Sequence, residues 1–154
     1  MKYDLTRFKT AQDKCYSEVV KEMKIGSKKT HWMWYIFPQI TGLGKSVIAR
    51  QYEIQNLEEA EAYLLDDTLG KRLIELTRIL TNEVNGKSAE EIFGYPDYLK
   101  FRSSMTLFNE VVKANKSLEN NPEYKCFEDA LKKYYKGQAD SFTLNILEDQ
   151  ALEG

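Results

Sequence analysis

From its first turns the chain sets apolar residues at steps of three and four: Leu5, Phe8, Ala11, Cys15, Tyr16, Val19, Val20 and Met23. That spacing lines one face of a helix, and it returns in segment after segment to the end of the chain. A chain patterned this way, with short connections and no convincing strand series, buries its apolar surface by packing helix on helix. The fold class it predicts is all-α: a mainly α-helical, single-domain bundle of about six to eight helices with an ordered aromatic and Gly-rich loop. The domain spans 1–154, with an ordered core over about 4–147 and a frayed polar tail over 148–154.

Capping chemistry sets the boundaries. Asp4 caps a first helix over Leu5 to Ile25, which Gly26 stops. Ser46 caps a short helix through about Glu53. Asn56, with Glu59 at the capping-box position, opens another through about Leu65. Asp66 or Asp67 starts a long helix through about Glu83, carrying Leu69, Leu73, Leu76 and Leu80 on one face. Ser88 and Glu91 form a capping box for a short helix ended by Gly94. Tyr95-Pro96-Asp97 introduces a helix to about Lys116, because proline is tolerated in a first turn. Pro122 restarts the chain into a helix carrying Tyr124, Phe127 and Leu131, and Asp140 or Ser141 caps the last.

Charge and composition narrow the function classes. The net charge is −2, with 22 basic and 24 acidic residues, so no global field draws in nucleic acid, and none is expected as a partner. A single histidine and two cysteines, Cys15 and Cys126, cannot assemble a Cys/His zinc site, and both cysteines read as small buried hydrophobes. The longest apolar run, Trp32 to Phe37, is far short of a membrane span, and no apolar segment follows Met1 as in a signal peptide. The expected compartment is the cytoplasm, with no membrane association. No HExxH, EF-hand, GxSxG or dinucleotide fingerprint occurs, so no metal is expected and any cofactor is unknown.

Three segments carry side chains suited to chemistry. The first is His31-Trp32-Met33-Trp34 followed by Phe37-Pro38-Gln39, which fits neither period and reads as a short helix or strand and then an ordered loop. His31, the one imidazole of the chain, suits a general acid or base, Trp34 a stacking platform, and Gln39 the reading of an amide or base edge. A buried aromatic wedge is the structural alternative. The second, Thr41 to Ser46, ends in Gly44-Lys45-Ser46 like a phosphate-binding loop, but Gln39 stands where the first glycine belongs. What survives is a Gly-rich turn in which Ser46 either caps a helix or presents its amide to an anion. The third runs from Lys100 to Thr106. Two serines and a threonine in four positions are poor helix filler, so Ser103 and Ser104 imply buried hydrogen bonds or a site. Arg102 suits a bidentate clamp on carboxylate or phosphate, or else a salt bridge.

These residues together resemble a bacterial family, the domain of unknown function 1810, some of whose members carry the label calpastatin. The likeness rests on His-Trp-Met-Trp, Phe-Pro-Gln and Gly-Leu-Gly within 31–46, and on Ile-Phe-Gly, Pro-Asp and Lys-x-Arg-Ser-Ser-Met-Thr-Leu-Phe within 92–108. It runs from Asp4 to about Leu147. The resemblance implies a single, mainly helical domain and no established activity. It implies no calpastatin role, since that name denotes a disordered inhibitor.

Two functions are open on this reading. One is a small-molecule cleft between the 31–46 loop and the 100–106 helix. There Lys100 and Arg102 would hold an anionic, nucleotide-like or ADP-ribose-like ligand, with Ser46, Ser103 and Ser104 hydrogen-bonding, Trp34 stacking and His31 moving protons. A fold-level likeness to helical ADP-ribose-processing proteins of the NADAR type points the same way. The other is a non-catalytic module that docks a protein through the aromatic segment 31–39.

Overall fold

Side chains that bond to their own backbone neighbours start most of the helices of this protein, a computed structural model that describes residues 3–153. Among those residues the chain forms α1 (Thr6–Asp13), α2 (Tyr16–Ile25), α3 (Met33–Ile36), α4 (Val47–Gln51), α5 (Leu57–Leu65) and α6 (Leu69–Asn82). It continues with α7 (Ala89–Phe93), α8 (Asp97–Lys113), α9 (Lys116–Glu119), a 3-10 turn (Pro122–Lys125), α10 (Cys126–Tyr135) and α11 (Ser141–Glu153). Ser46, Asn56 and Ser88 accept the amides of Ala49, Glu59 and Glu91 as caps, and Ser88 and Glu91 close the reciprocal box. Glu59 departs from the box pattern: its carboxylate takes the amide of Gln55 at 2.7 Å. The all-α class stands. The extended pairing seen among the described residues is one isolated parallel bridge, Ile40 to Ile54.

Among the described residues the helices number eleven, more than the six to eight expected, and the difference is tertiary in origin. The predicted first helix breaks between Asp13 and Tyr16. Buried Gln12 donates to the Tyr35 carbonyl at 2.7 Å and to Tyr63 Oη at 2.9 Å, while Arg72 donates to Gln12 at 3.3 Å and Asp13 at 2.8 Å. Those partners fix the end of α1, and a propensity of a few tenths of a kcal/mol per residue does not override them. The aromatic segment resolves into one helical turn, α3, and Asn115 caps the separate short α9. At the other end α11 runs through Glu153, past the Leu147 expected to end the ordered core, and Gln150 donates to the Gln55 carbonyl at 2.9 Å.

Helix α8 is the axis of the bundle. It packs against α5, α7, α9, α10 and α11, and α6 closes the far side against α2, α5 and α10. A helix covered from so many directions must be apolar nearly all round or satisfy its polar groups internally. Phe101, Met105, Leu107, Phe108, Val111 and Val112 are buried, but so are Ser103, Ser104, Thr106 and Asn109. Phe101 stacks on Phe93 of α7 at 4.7 Å and meets Phe37, just after α3, edge-on at 4.9 Å. This three-ring contact ties the aromatic segment to the axis and fixes where the candidate site lies.

Candidate functional site

Within the turn α3 and its flanks, residue spacing sorts the aromatic segment into two faces. Trp32, Met33, Ile36 and Phe37 point inward and are buried, whereas His31 is exposed and Trp34 and Tyr35 are half-buried. Glu22 holds the approach to the turn. Its carboxylate accepts the amides of Lys29 (2.8 Å) and Thr30 (3.1 Å), the Thr30 hydroxyl (2.7 Å) and the Trp32 indole N–H (3.0 Å). Burial pushes this carboxyl up, but the bonds from Thr30, Lys29 and Trp32 outweigh it and hold the group below the usual carboxylate range. Burial and the neighbouring Cys15 push the Tyr35 phenol up to about 12.

The 31–46 segment and the third segment meet at one pair. Lys100 sets its ammonium 5.7 Å from the Trp34 ring centroid and 3.9 Å from Asp97. Asp97 is held more firmly by Lys28 at 2.9 Å, and Lys28 in turn lies 5.0 Å from the Trp32 ring. A half-buried cation–ring contact near the 6 Å limit is worth ~1 kcal/mol and a partly exposed ion pair at 3.9 Å no more, so Lys100 is loosely engaged. The sequence placed Asp97 at a helix start but did not pair it with Lys28 or Lys100. Asp97 stands three residues before Lys100 on the same helix, a spacing that brings the two together.

Arg102, Ser103 and Ser104, expected beside Lys100 in an anion clamp, do not join that pair. The Arg102 guanidinium donates to the carbonyls of Gln138 and Ala139, both at 2.9 Å, and lies 5.8 Å from the Tyr135 ring. Ser103 donates to Asp140 at 3.0 Å and to the Leu99 carbonyl at 3.2 Å. Thr106 accepts the Asp140 amide at 2.9 Å. These side chains dock the start of α11 onto α8. Ser104 is fully buried, and its hydroxyl has no hydrogen-bond partner among the described residues.

Gln39 joins Trp34, Ile40, Gly44, Ala49, Tyr52 and Glu53 around a notch beside α4. The notch holds about 10 Å³, room for one water at most. Its walls approach closely: a Cβ on Gly44 would lie 2.5 Å from the Ala49 Cβ. Ser46 is exposed, and its hydroxyl is used as the cap of α4, accepting the Ala49 amide at 3.1 Å. His31 stands just before α3, and its ring has no hydrogen-bond partner among the described residues to set its tautomer. The His31 carbonyl accepts from the Tyr35 hydroxyl at 3.4 Å. Among the described residues no group of His, Cys, Asp and Glu is placed to hold a metal ion, and no helix is long and apolar enough to cross a membrane.

Comparison with known proteins gives a family and a fold neighbour. The family described as "Protein of unknown function (DUF1810)" matches residues 2–147. The crystal structure of the conserved hypothetical protein Rv1873 from Mycobacterium tuberculosis is 47% identical. The match covers 95% of this chain and 97% of that one, with a TM-score of 0.85. No curated protein matches the chain at a significant level.

Proposed function

The chain belongs to the DUF1810 family, and we propose that it binds a small planar anion at the surface formed by Trp34 and Lys100, without catalysing a reaction there. The observation that carries this reading is the contrast between two cations on one helix. Arg102 is committed to two carbonyls, whereas Lys100 rests on a half-buried ring and a distant carboxylate. An acid group draws Lys100 off Trp34 at small cost and leaves the indole face free to stack on the rest of the ligand. Lys28 and Lys100 against Asp97 leave one positive charge in excess at the pair, with exposed His31 three residues before Trp34.

Size favours an aromatic acid over a nucleotide. A notch that admits one water cannot bury a base with its sugar and phosphates, so the ligand lies on the surface. Docking of a protein through the aromatic segment has less support, because Trp32, Met33, Ile36 and Phe37 face the core.

The test is a titration of isotope-labelled protein with benzoate, nicotinate and adenosine monophosphate, followed at the Trp34 indole N–H. The two aromatic acids should give saturable shifts that Lys100→Gln abolishes while the urea midpoint stays within about 0.5 kcal/mol of wild type. No shift at millimolar acid, or an equal response in the variant, refutes the site. A shift with the nucleotide alone refutes the ligand class.

A further inference from the structure

The short helix α4 turns its apolar side chains outward. None of its residues is buried, Ile48 is exposed, and Val47, at 86%, is the most exposed large apolar side chain among the described residues. Two β-branched residues are poor filler for a solvated helix. Next in exposure is Leu152 of α11, at 81%. Helix α11 crosses both feet of the loop that carries α4. Ile146 lies against Gly42, where a Cβ would stand 3.4 Å from its Cδ1, and Gln150 donates to the Gln55 carbonyl. With Thr143, Ile146 and Gln150 turned inward, Glu148, Asp149 and Leu152 share the outer face of α11. Charge divides between the two strips. Lys45 and Arg50 flank the apolar pair of α4, whereas Glu148, Asp149 and Glu153 crowd the end of α11, whose last turn has no basic residue. Among the described residues none of these five groups makes an ion pair. Carboxylates at the negative end of a helix dipole are disfavoured, and cations brought from outside the fold relieve them.

From this match we infer that α4 of one copy of the chain docks on the outer face of α11 of a second copy, and the reverse, as a two-fold dimer. Val47 and Ile48 pack against Leu152, while Lys45 and Arg50 meet Glu148, Asp149 and Glu153. The two strips of one molecule do not serve each other, since Val47 and Leu152 both stay exposed there. Because the strips border one another on each molecule, a two-fold axis satisfies both at once, and the contact closes instead of propagating. An unrelated basic partner would cover the acidic end of α11 and leave Val47 and Ile48 in water, whereas a second copy covers both. Two short strips make a small contact, at the weak and reversible end of protein interfaces.

The experiment is sedimentation velocity of the full chain from micromolar to millimolar concentration, with two charge-reversed variants. One carries Lys45→Glu and Arg50→Glu, the other Glu148→Lys and Asp149→Lys. Wild type should pass from monomer to dimer, and high salt should weaken the dimer by screening its charge pairs. Each variant alone sets like charges against each other at both contacts, so its dimer should be at least about tenfold weaker. Mixed in equal amounts, the two variants are complementary at both contacts, and the dimer should return. All four positions are exposed and unpaired, so the urea midpoints should stay near that of wild type. Val47→Glu, which sets a carboxylate against the acidic strip, gives the same reading should a double variant fail to fold, with a dimer at least about tenfold weaker. A wild type that stays monomeric throughout overturns the assignment. So does a dimer that the folded variants form as readily as wild type, or a mixture of the two double variants that stays monomeric.

Discussion

The Ser103 hydroxyl donates to Oδ2 of Asp140 at 3.0 Å, across the contact between α8 and α11. The same oxygen accepts the Thr143 amide at 3.1 Å and its hydroxyl at 2.6 Å, so it is also the cap of α11. The Asp140 amide donates to Thr106, and Arg102 holds the two preceding carbonyls. The polar half of the Lys100–Thr106 motif is therefore a joint that seats the last helix.

Asp140→Ala should cost about 1–3 kcal/mol, since it removes a cap, takes the acceptor of the Thr143 hydroxyl and leaves Ser103 only the Leu99 carbonyl. Arg102→Ala should cost about 1 kcal/mol or more for the two carbonyls it uncovers. In a domain this size each kcal/mol lowers Tm by about 2–4 °C. Urea and thermal melts of both variants check this. An Arg102→Ala protein that melts like wild type would return that arginine to the list of ligand-binding candidates.

Gly70, in the first turn of α6, tests how tightly α5 and α6 approach. A Cβ there would lie 1.9 Å from the Leu64 carbonyl oxygen, a backbone atom that cannot swing away. Overpacking that only shifts side chains costs ~1–3 kcal/mol, so Gly70→Ala should cost at least about 3 kcal/mol. Denaturant unfolding measures it, and a loss below 1 kcal/mol would mean that the helices separate easily.

Such local and distant effects divide what the sequence made legible. Ser46, Asn56 and Ser88 bond to amides three residues away, so their helices could be placed from neighbouring letters. The break after Asp13 depends on Tyr35, Tyr63 and Arg72, which are remote in sequence, and no periodicity in α1 reports it. For the site, the Lys100–Trp34 meeting followed from setting the two motifs face to face. The use of Arg102 and Ser103 did not, because their partners at 138–140 lie in a loop whose path only the fold determines.

The two tryptophans should behave differently toward solvent. Trp32 is 1% exposed with its indole N–H bonded to Glu22, whereas Trp34 is half-buried at the surface. Acrylamide should quench part of the wild-type fluorescence, and Trp34→Phe should leave a blue-shifted emission that is almost unquenchable. Strong quenching in Trp34→Phe would show that water reaches the Glu22 clasp.

That clasp also sets a pH dependence. Burial raises the Glu22 carboxyl, the four hydrogen bonds from Thr30, Lys29 and Trp32 lower it further, and the net value lies below the ordinary 4.5. The unfolded chain therefore takes up the proton before the folded one does. The stability from the ionised carboxylate is present in full above the ordinary value and fades as the pH falls through the folded one. Glu22→Gln keeps the shape of the side chain but not its charge, and its amide brings donors against three N–H groups and a hydroxyl. The variant should be less stable than wild type at pH 7, and the gap in urea midpoint should narrow steadily as the pH drops below 4.5. A gap that stays constant from pH 7 to the acid limb would mean that the clasp works by shape alone.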